Sequence, residues 1–173
     1  MNRQSVPPDQ WTSQPIGLFE PGWLLLTSGD FNAGNFNAMT VSWGSLGVMW
    51  HKPFAQIVVR PQRFTFQFLE QYPTFTLCAF PAEYRKALNL LGSASGRDGD
   101  KIAASGLTPI AATACDAPIY AEASIALECR KMYWQDLDPT HFLDAAILQG
   151  YLQNDYHRIY YGEILAVTTL AAD

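Results

Sequence analysis

Along most of this chain apolar and polar positions alternate with the two-residue period of a half-buried strand, and only locally with the 3.6-residue period of a helix. The first such run, Trp23 to Ser28, is followed by turn chemistry in Gly29-Asp30-Phe31-Asn32-Ala33-Gly34 and by a second run, Asn37 to Trp43. Two strands joined in this way predict a β-hairpin. Pro53 opens a third strand, Phe54 to Arg60, whose Ile57-Val58-Val59 run has the β-branched residues of a buried strand. Thr74 to Phe80 follows as a fourth. Two long alternating segments close the chain, Ser124 to Trp134 and His157 to Thr168. In the first, Ile125, Leu127, Cys129 and Tyr133 face inward while Glu128 and Arg130 pair charges on the outer face.

Helical spacing joins Tyr84, Ala87, Leu88 and Leu91 after Pro81, with Gly92 as the stop. A shorter helix is predicted from Thr65, acting as N-cap, through Glu70 before Pro73 ends it, and another brief one from Asp100 to Ser105. Residues 1–15, with three prolines and no period, predict an irregular arm; residues 44–52 predict a glycine- and tryptophan-rich loop, and residues 136–156 a surface excursion. Six or seven strands with two or three short helices, in no regular alternation, predict a mainly antiparallel β-barrel formed by one domain over residues 16–173.

A chain of 173 residues is long enough to fold without metal or disulfide staples. Its net charge of −5 provides no field toward nucleic acid or an anionic membrane, so its cations must act locally. Cys78, Cys115 and Cys129 lie far apart without a CxxC pair, the pattern of buried thiols in a reducing compartment. His51 and His141 have no partner spacing and are expected at the surface; no metal site is expected. The start, Met1 to Pro8, lacks the apolar core of a secretion signal, and no run approaches the roughly 20 apolar residues of a membrane span. A cytoplasmic protein is expected.

Candidate chemistry concentrates in two segments, Asn37 to Gly44 and Val59 to Thr65. Thr40 and Ser42 share one face of the second strand, and Arg60 and Arg63 stand where the third strand opens into a helix. Hydroxyls, exposed backbone and paired guanidinium groups suit a flat, phosphorylated aromatic ligand. The chain has neither a GxGxxG turn nor a GxxxxGK[ST] loop, so a nucleotide would be held in another way.

Six segments, in order and at consistent spacing over residues 20–168, resemble the flavin reductase-like family, the FMN-binding split-barrel proteins, and within it the flavoredoxin-type branch. They are Asn37-x-Met39-Thr40-x-Ser42-Trp43-Gly44, Lys52-Pro53, Val59-Arg60-Pro61-x-Arg63-x-Thr65, Ser95-Gly96-Arg97-Asp98-x-Asp100-Lys101, Glu122-Ala123-x-x-x-Leu127-Glu128-Cys129-Arg130, and Asp155-Tyr156-His157-Arg158-x-Tyr160-x-Gly162-Glu163-Ile164. The resemblance implies an antiparallel Greek-key split barrel of about six strands, bound FMN, NAD(P)H as co-substrate and a homodimer with flavin sites near the subunit boundary. It implies that Asn37, Met39, Thr40, Val41, Ser42 and Trp43 border the flavin, and that Ser95, Gly96, Arg97 and Lys101 lie near it. For His157 it implies a contact to flavin or nicotinamide.

Arg60, Arg63 and Thr65, with the free amides of a helix start, form the expected phosphate cradle. Each of these assignments has a structural alternative: a core strand, a solvated arginine, a polar connector, a satisfied histidine. Trp43 and Trp50 would either wall the flavin slot or pack in the core. Hydride transfer between stacked cofactors needs no acid–base residue from the protein, so no catalytic side chain is expected. Three functions remain open at this level: a flavin reductase, an FMN electron carrier serving redox protein partners, and a split barrel that binds another planar ligand.

Overall fold

The computed structural model describes residues 3–170 and arranges them around one strongly curled antiparallel sheet. Strands β2 (Leu24–Asp30), β3 (Asn35–Val41), β4 (Gly44–Met49), β5 (Lys52–Val59), β6 (Thr74–Ala79), β9 (Ile125–Asp136) and β10 (Arg158–Leu170) run in the order β3-β2-β6-β9-β10-β5-β4. Strand β1 (Arg3–Val6) adds to β10, and β7 (Pro109–Ile110) pairs with β8 (Ile119–Tyr120) in a separate ribbon. The long β10 holds the sheet together, pairing with β5 through Arg158–Glu163, with β9 along most of its length and with β1 at its end. Strand β3 comes back into contact with β5, which leaves a seam between them instead of a continuous hydrogen-bonded wall. The architecture is the expected antiparallel barrel.

Two cores explain where the alternation of the sequence breaks down. Inside the barrel, Leu24, Leu26, Met39, Val41, Ile57, Val59, Phe75, Leu77 and Tyr160 pack together. On the outer face of β2, β3 and β6, Leu25, Ala38 and Cys78 meet Ala87, Leu88 and Leu91 of helix α3 (Arg85–Ser93) and Ile102 of helix α4 (Lys101–Ser105). Covered on both sides, these strands need apolar residues at consecutive positions, as in Leu24-Leu25-Leu26. Phe75 is fully buried and its ring lies where a Cβ on residue 162 would come within 2.5 Å, so Gly162 is a requirement of close packing. Replacing such a phenylalanine by alanine costs about 3–5 kcal/mol.

Several local expectations are corrected. The N-terminal arm is not irregular throughout: Arg3–Val6 joins the sheet, with the Arg3 guanidinium donating to the Ala123 carbonyl and the Thr168 hydroxyl, and Pro15–Phe19 forms helix α1. Residues 44–49 are strand, not loop, and Trp50 and His51 form a tight turn at positive φ into β5. Helix α2 (Phe64–Gln71) begins one residue before Thr65, which sits in its first turn, and Arg63 holds the N-cap position. Helix α3 runs one residue past Gly92.

Glu128 is fully buried instead of facing solvent; its carboxylate accepts from the Thr113 amide and hydroxyl and the Ala114 amide. That bonding pins the loop that covers the outer face of β9. Its neighbour Arg130 is exposed as expected and pairs with Glu163, which also pairs with Lys52, so three residues of the recurring segments clip β5, β9 and β10 together. Cys78 and Cys129 are buried free thiols, and Cys115 is half-buried.

Candidate functional site

The seam between β3 and β5 creates the first of three neighbouring cavities. A groove of about 170 Å³ is lined by Met39, Thr40, Val41, Ser42 and Trp43, by Val58 and Arg60 across the seam, and by His157 at the start of β10. Within β3, Met39 and Val41 turn into the barrel core, and Thr40 faces the helices, where its hydroxyl donates to the Leu88 carbonyl at 2.5 Å. That commitment leaves Thr40 able to accept but not to donate. Trp43 is 56% exposed and lies 5.2 Å from the His157 ring. Trp50 does not join this groove; it packs against Tyr133 on another face.

His157 is buried, and Tyr151 Oη lies 2.8 Å from its Nδ1. Burial, reinforced by the Arg60 charge, pushes the imidazole down to about 4, so the ring is neutral at physiological pH. If the Tyr151 hydroxyl donates to Nδ1 the ring's one proton is on Nε2, and in the other tautomer Nδ1 donates to Tyr151 and Nε2 is an acceptor. Arg60 forms an ion pair with Asp155, donates to the Gly150 carbonyl at 2.9 Å and lies over the Tyr151 ring. The 137–157 excursion therefore returns to the barrel through Tyr151, Asp155 and His157. Asp155 and His157 belong to a segment the sequence singled out; Tyr151 carried no signal there, because its partnership depends on a fold-back within the excursion.

A second, smaller cavity of about 150 Å³ lies at the start of α2 and is lined by Arg63, Thr65, Ser95, Arg97 and Lys101 together with Gln62, Phe64, Ser93 and Ala94. Its three cations face no carboxylate among the described lining residues. Arg63 donates to the Gly92 carbonyl, and Lys101 Nζ donates to the Leu91 and Ala94 carbonyls at 2.9 Å, so both cations answer the negative end of α3. Burial and the neighbouring Arg63 charge bring Lys101 down to about 8, and burial alone lowers Arg63. Asn37 Nδ2 donates to Thr65 Oγ1 at 2.7 Å, and the threonine's own proton has no acceptor among the described residues. The first-turn amides of α2 face the same end.

The expected cradle is thus divided. Arg63 and Thr65 lie together with Ser95, Arg97 and Lys101, while Arg60 lines the groove on the other side of Gly92. Gly92 is the partition: its carbonyl receives Arg63, and a Cβ there would meet the Thr40 side chain at 3.2 Å. Asn37 and Gly96 line a third, larger cavity that shares Phe64 and Lys101 with the second. Gly96 is fixed by close approach, since a Cβ would fall 2.3 Å from Asn37 Oδ1. In the 95–101 loop Asp100 Oδ1 caps α4, and Arg97 donates to the Gln62 carbonyl and lies over the Phe64 ring.

A curled antiparallel barrel opened along a seam between β3 and β5 is a split-barrel architecture. The chain matches the family model described as flavin reductase like domain over residues 16–172, and it belongs to that family. Among solved structures, an FMN-binding domain of a flavin reductases-like enzyme from Shewanella baltica aligns with a TM-score of 0.68 at 18% identity, covering 97% of this chain and 77% of that one. Flavoredoxin of Desulfovibrio vulgaris aligns at 0.67 and 20%, covering 91% and 72%. An NADH:FAD oxidoreductase of Streptomyces globisporus, in complex with NAD and FAD fragments, aligns at 0.64 and 21%, covering 86% and 74%. At these identities the likeness is one of fold. No curated protein matches the chain.

Proposed function

We propose that this protein binds FMN and acts as a flavin reductase, accepting hydride from NAD(P)H. The observation that carries the reading is the carboxylate-free pocket formed by Arg63, Thr65, Arg97 and Lys101, one carbonyl away from a groove edged by strand backbone, Trp43 and His157. A phosphate fits the first and the edge of a planar ring the second. The donor set suits the group: three cations, a hydroxyl proton without an acceptor, and helix-start amides, with Gly96 allowing the loop to close in.

Bound FMN supplies the two-electron chemistry; the protein's residues supply position. Arg63, Arg97, Lys101 and Thr65 hold the phosphate, and Ser95 adds a hydroxyl. Met39 to Trp43 offer backbone groups to the ring edge, and Ser42 a hydroxyl. Neutral His157, held by Tyr151, presents one ring nitrogen without adding a charge that would repel a cation or attract water. Trp43 is free to cover a ring and exclude solvent. No side chain is asked to transfer a proton.

A seam groove of about 170 Å³ is smaller than the roughly 300 Å³ at the low end of whole-ligand sites, so a second copy of the chain completing the ring's enclosure is part of this proposal. The likeness to flavoredoxin keeps an electron-carrier role as the second reading. One experiment separates them. Purified protein given FMN should show a perturbed flavin spectrum, and NADH or NADPH should then bleach it catalytically in the presence of excess flavin. Bound flavin that neither nucleotide reduces supports the carrier, and protein that leaves the FMN spectrum unchanged refutes flavin binding altogether.

A further inference from the structure

Tyr151 lines none of the three cavities, yet the 137–157 excursion is built around its side chain. The 3₁₀ turn Ile147–Gly150 delivers it, its amide donating to the Leu148 carbonyl at 2.9 Å, and its carbonyl accepts the Asn154 amide at 3.0 Å where Asn154 takes up a positive φ. Three side chains then grip the ring: Arg60 lies over it at 5.0 Å, Tyr156 stacks on it at 5.0 Å and Phe142 packs at 5.8 Å. Tyr151 is buried, and it meets the His157 imidazole edge-on, with 2.8 Å between Tyr151 Oη and Nδ1.

The phenol's proton has no acceptor among the described residues other than Nδ1. A ring protonated on Nδ1 would therefore strand that donor in the interior, whereas a ring protonated on Nε2 satisfies both groups. Nε2, across the ring, has no partner among the described residues. Thr74 Oγ1 is the only buried side-chain polar atom among them without a partner, so Nε2 is not enclosed, and the open space that His157 lines is the seam groove. We infer that Tyr151 is a positioning residue: its hydroxyl donates to Nδ1 and thereby fixes His157 with an N–H at Nε2 turned into the groove, a hydrogen-bond donor to the acceptor edge of a planar ring bound there. The inference takes that ring to be the flavin, and in this it rests on the reading above.

Long-range proton–nitrogen NMR of the flavin-free protein reads the two ring nitrogens directly and needs no variant. At neutral pH His157 is expected with a bare Nδ1 and a protonated Nε2. Tyr151→Phe keeps the aromatic ring and removes only the hydroxyl. The His157 signals should then show both tautomers, and its titration should move up by about half a unit to one unit, because the lost bond was made to the neutral form. Arg60, Asp155 and Tyr151 are the titratable groups that face the imidazole, with Trp43 and the uncharged β3 lining beside it, and this variant leaves Arg60 and Asp155 in place. Riboflavin, which carries the ring without a phosphate, is expected to bind about two- to tenfold more weakly to Tyr151→Phe. In a His157→Gln background the same substitution is expected to cost nothing further, the mark of an effect that runs through the imidazole.

A proton on Nδ1 in the wild type, a tautomer and titration unchanged in Tyr151→Phe, or the same loss of riboflavin with and without His157→Gln overturns the inference and leaves Tyr151 a packing residue; the flavin reading survives each of these. A wild type that binds neither riboflavin nor FMN, with its ring nitrogens as expected, overturns the flavin reading and leaves the positioning of His157 by Tyr151 standing.

Discussion

Replacing Arg63 with alanine is the perturbation that most directly tests how the site divides its work. Arg63 sits in the pocket with Lys101 and Arg97, its charge partly desolvated by burial and opposed by no carboxylate among the described lining residues. A phosphate arriving there gains a charge-assisted hydrogen bond worth about 1.5–3 kcal/mol, which is about 10- to 150-fold in affinity. The same substitution removes the donor to the Gly92 carbonyl, a change of about 1 kcal/mol in stability that thermal unfolding would register separately.

Isothermal titration with FMN and with riboflavin distinguishes the two effects, because riboflavin lacks the phosphate. Arg63→Ala should weaken FMN by the stated factor and leave riboflavin nearly unchanged. Arg60→Ala should behave differently: its ion pair with Asp155 and its bond to Gly150 shape the seam groove, so FMN and riboflavin should weaken together. Equal losses of both ligands in Arg63→Ala, or a phosphate-selective loss in Arg60→Ala, would refute the division of the cradle.

Three other outcomes follow from the same geometry. Lys101, brought down to about 8 by burial, loses its charge above that pH, so FMN affinity should fall through pH 8 to 9 while riboflavin affinity does not, and Lys101→Met should abolish the pH dependence. Neutral His157 titrates near 4 in the folded chain and at 6.5 when exposed, so the unfolded state binds the extra proton between those values. Stability is whole above pH 6.5 and falls on acidification by about 1.4 kcal/mol per pH step, about 3 kcal/mol at pH 4; denaturant melts of the wild type and His157→Gln should diverge over that window alone. Glu128→Ala strips the acceptor from the Thr113 and Ala114 amides and should cost about 3 kcal/mol, lowering Tm by about 6–12 °C in calorimetry without changing bound flavin.

Alternation by itself located β2, β3, β5, β6, β9 and β10 and the antiparallel class, because a half-buried strand writes its two environments directly into a period of two, but it did not find β1, β4 or the short β7–β8 ribbon. Turn residues marked the β2–β3 hairpin, and the spacing of Tyr84, Ala87, Leu88 and Leu91 marked helix α3. Candidate residues were also visible as chemistry: hydroxyls along 40–42, cations at 60, 63, 97 and 101, a histidine before the last strand. What local pattern could not carry was partnership. Glu128 looks like an outward charge by its period, yet the loop at 113–114 folds over it and supplies amides that make its burial tolerable. Arg60 and Arg63 stand three apart around one turn and look like a pair, yet Asp155, ninety-five residues on, claims the first, and the end of α3 claims the second. Residue type and spacing determine which bonds a segment is able to make; the closing of the barrel, which brings distant acceptors within 3 Å, decides which of those bonds are already taken and which remain for a ligand.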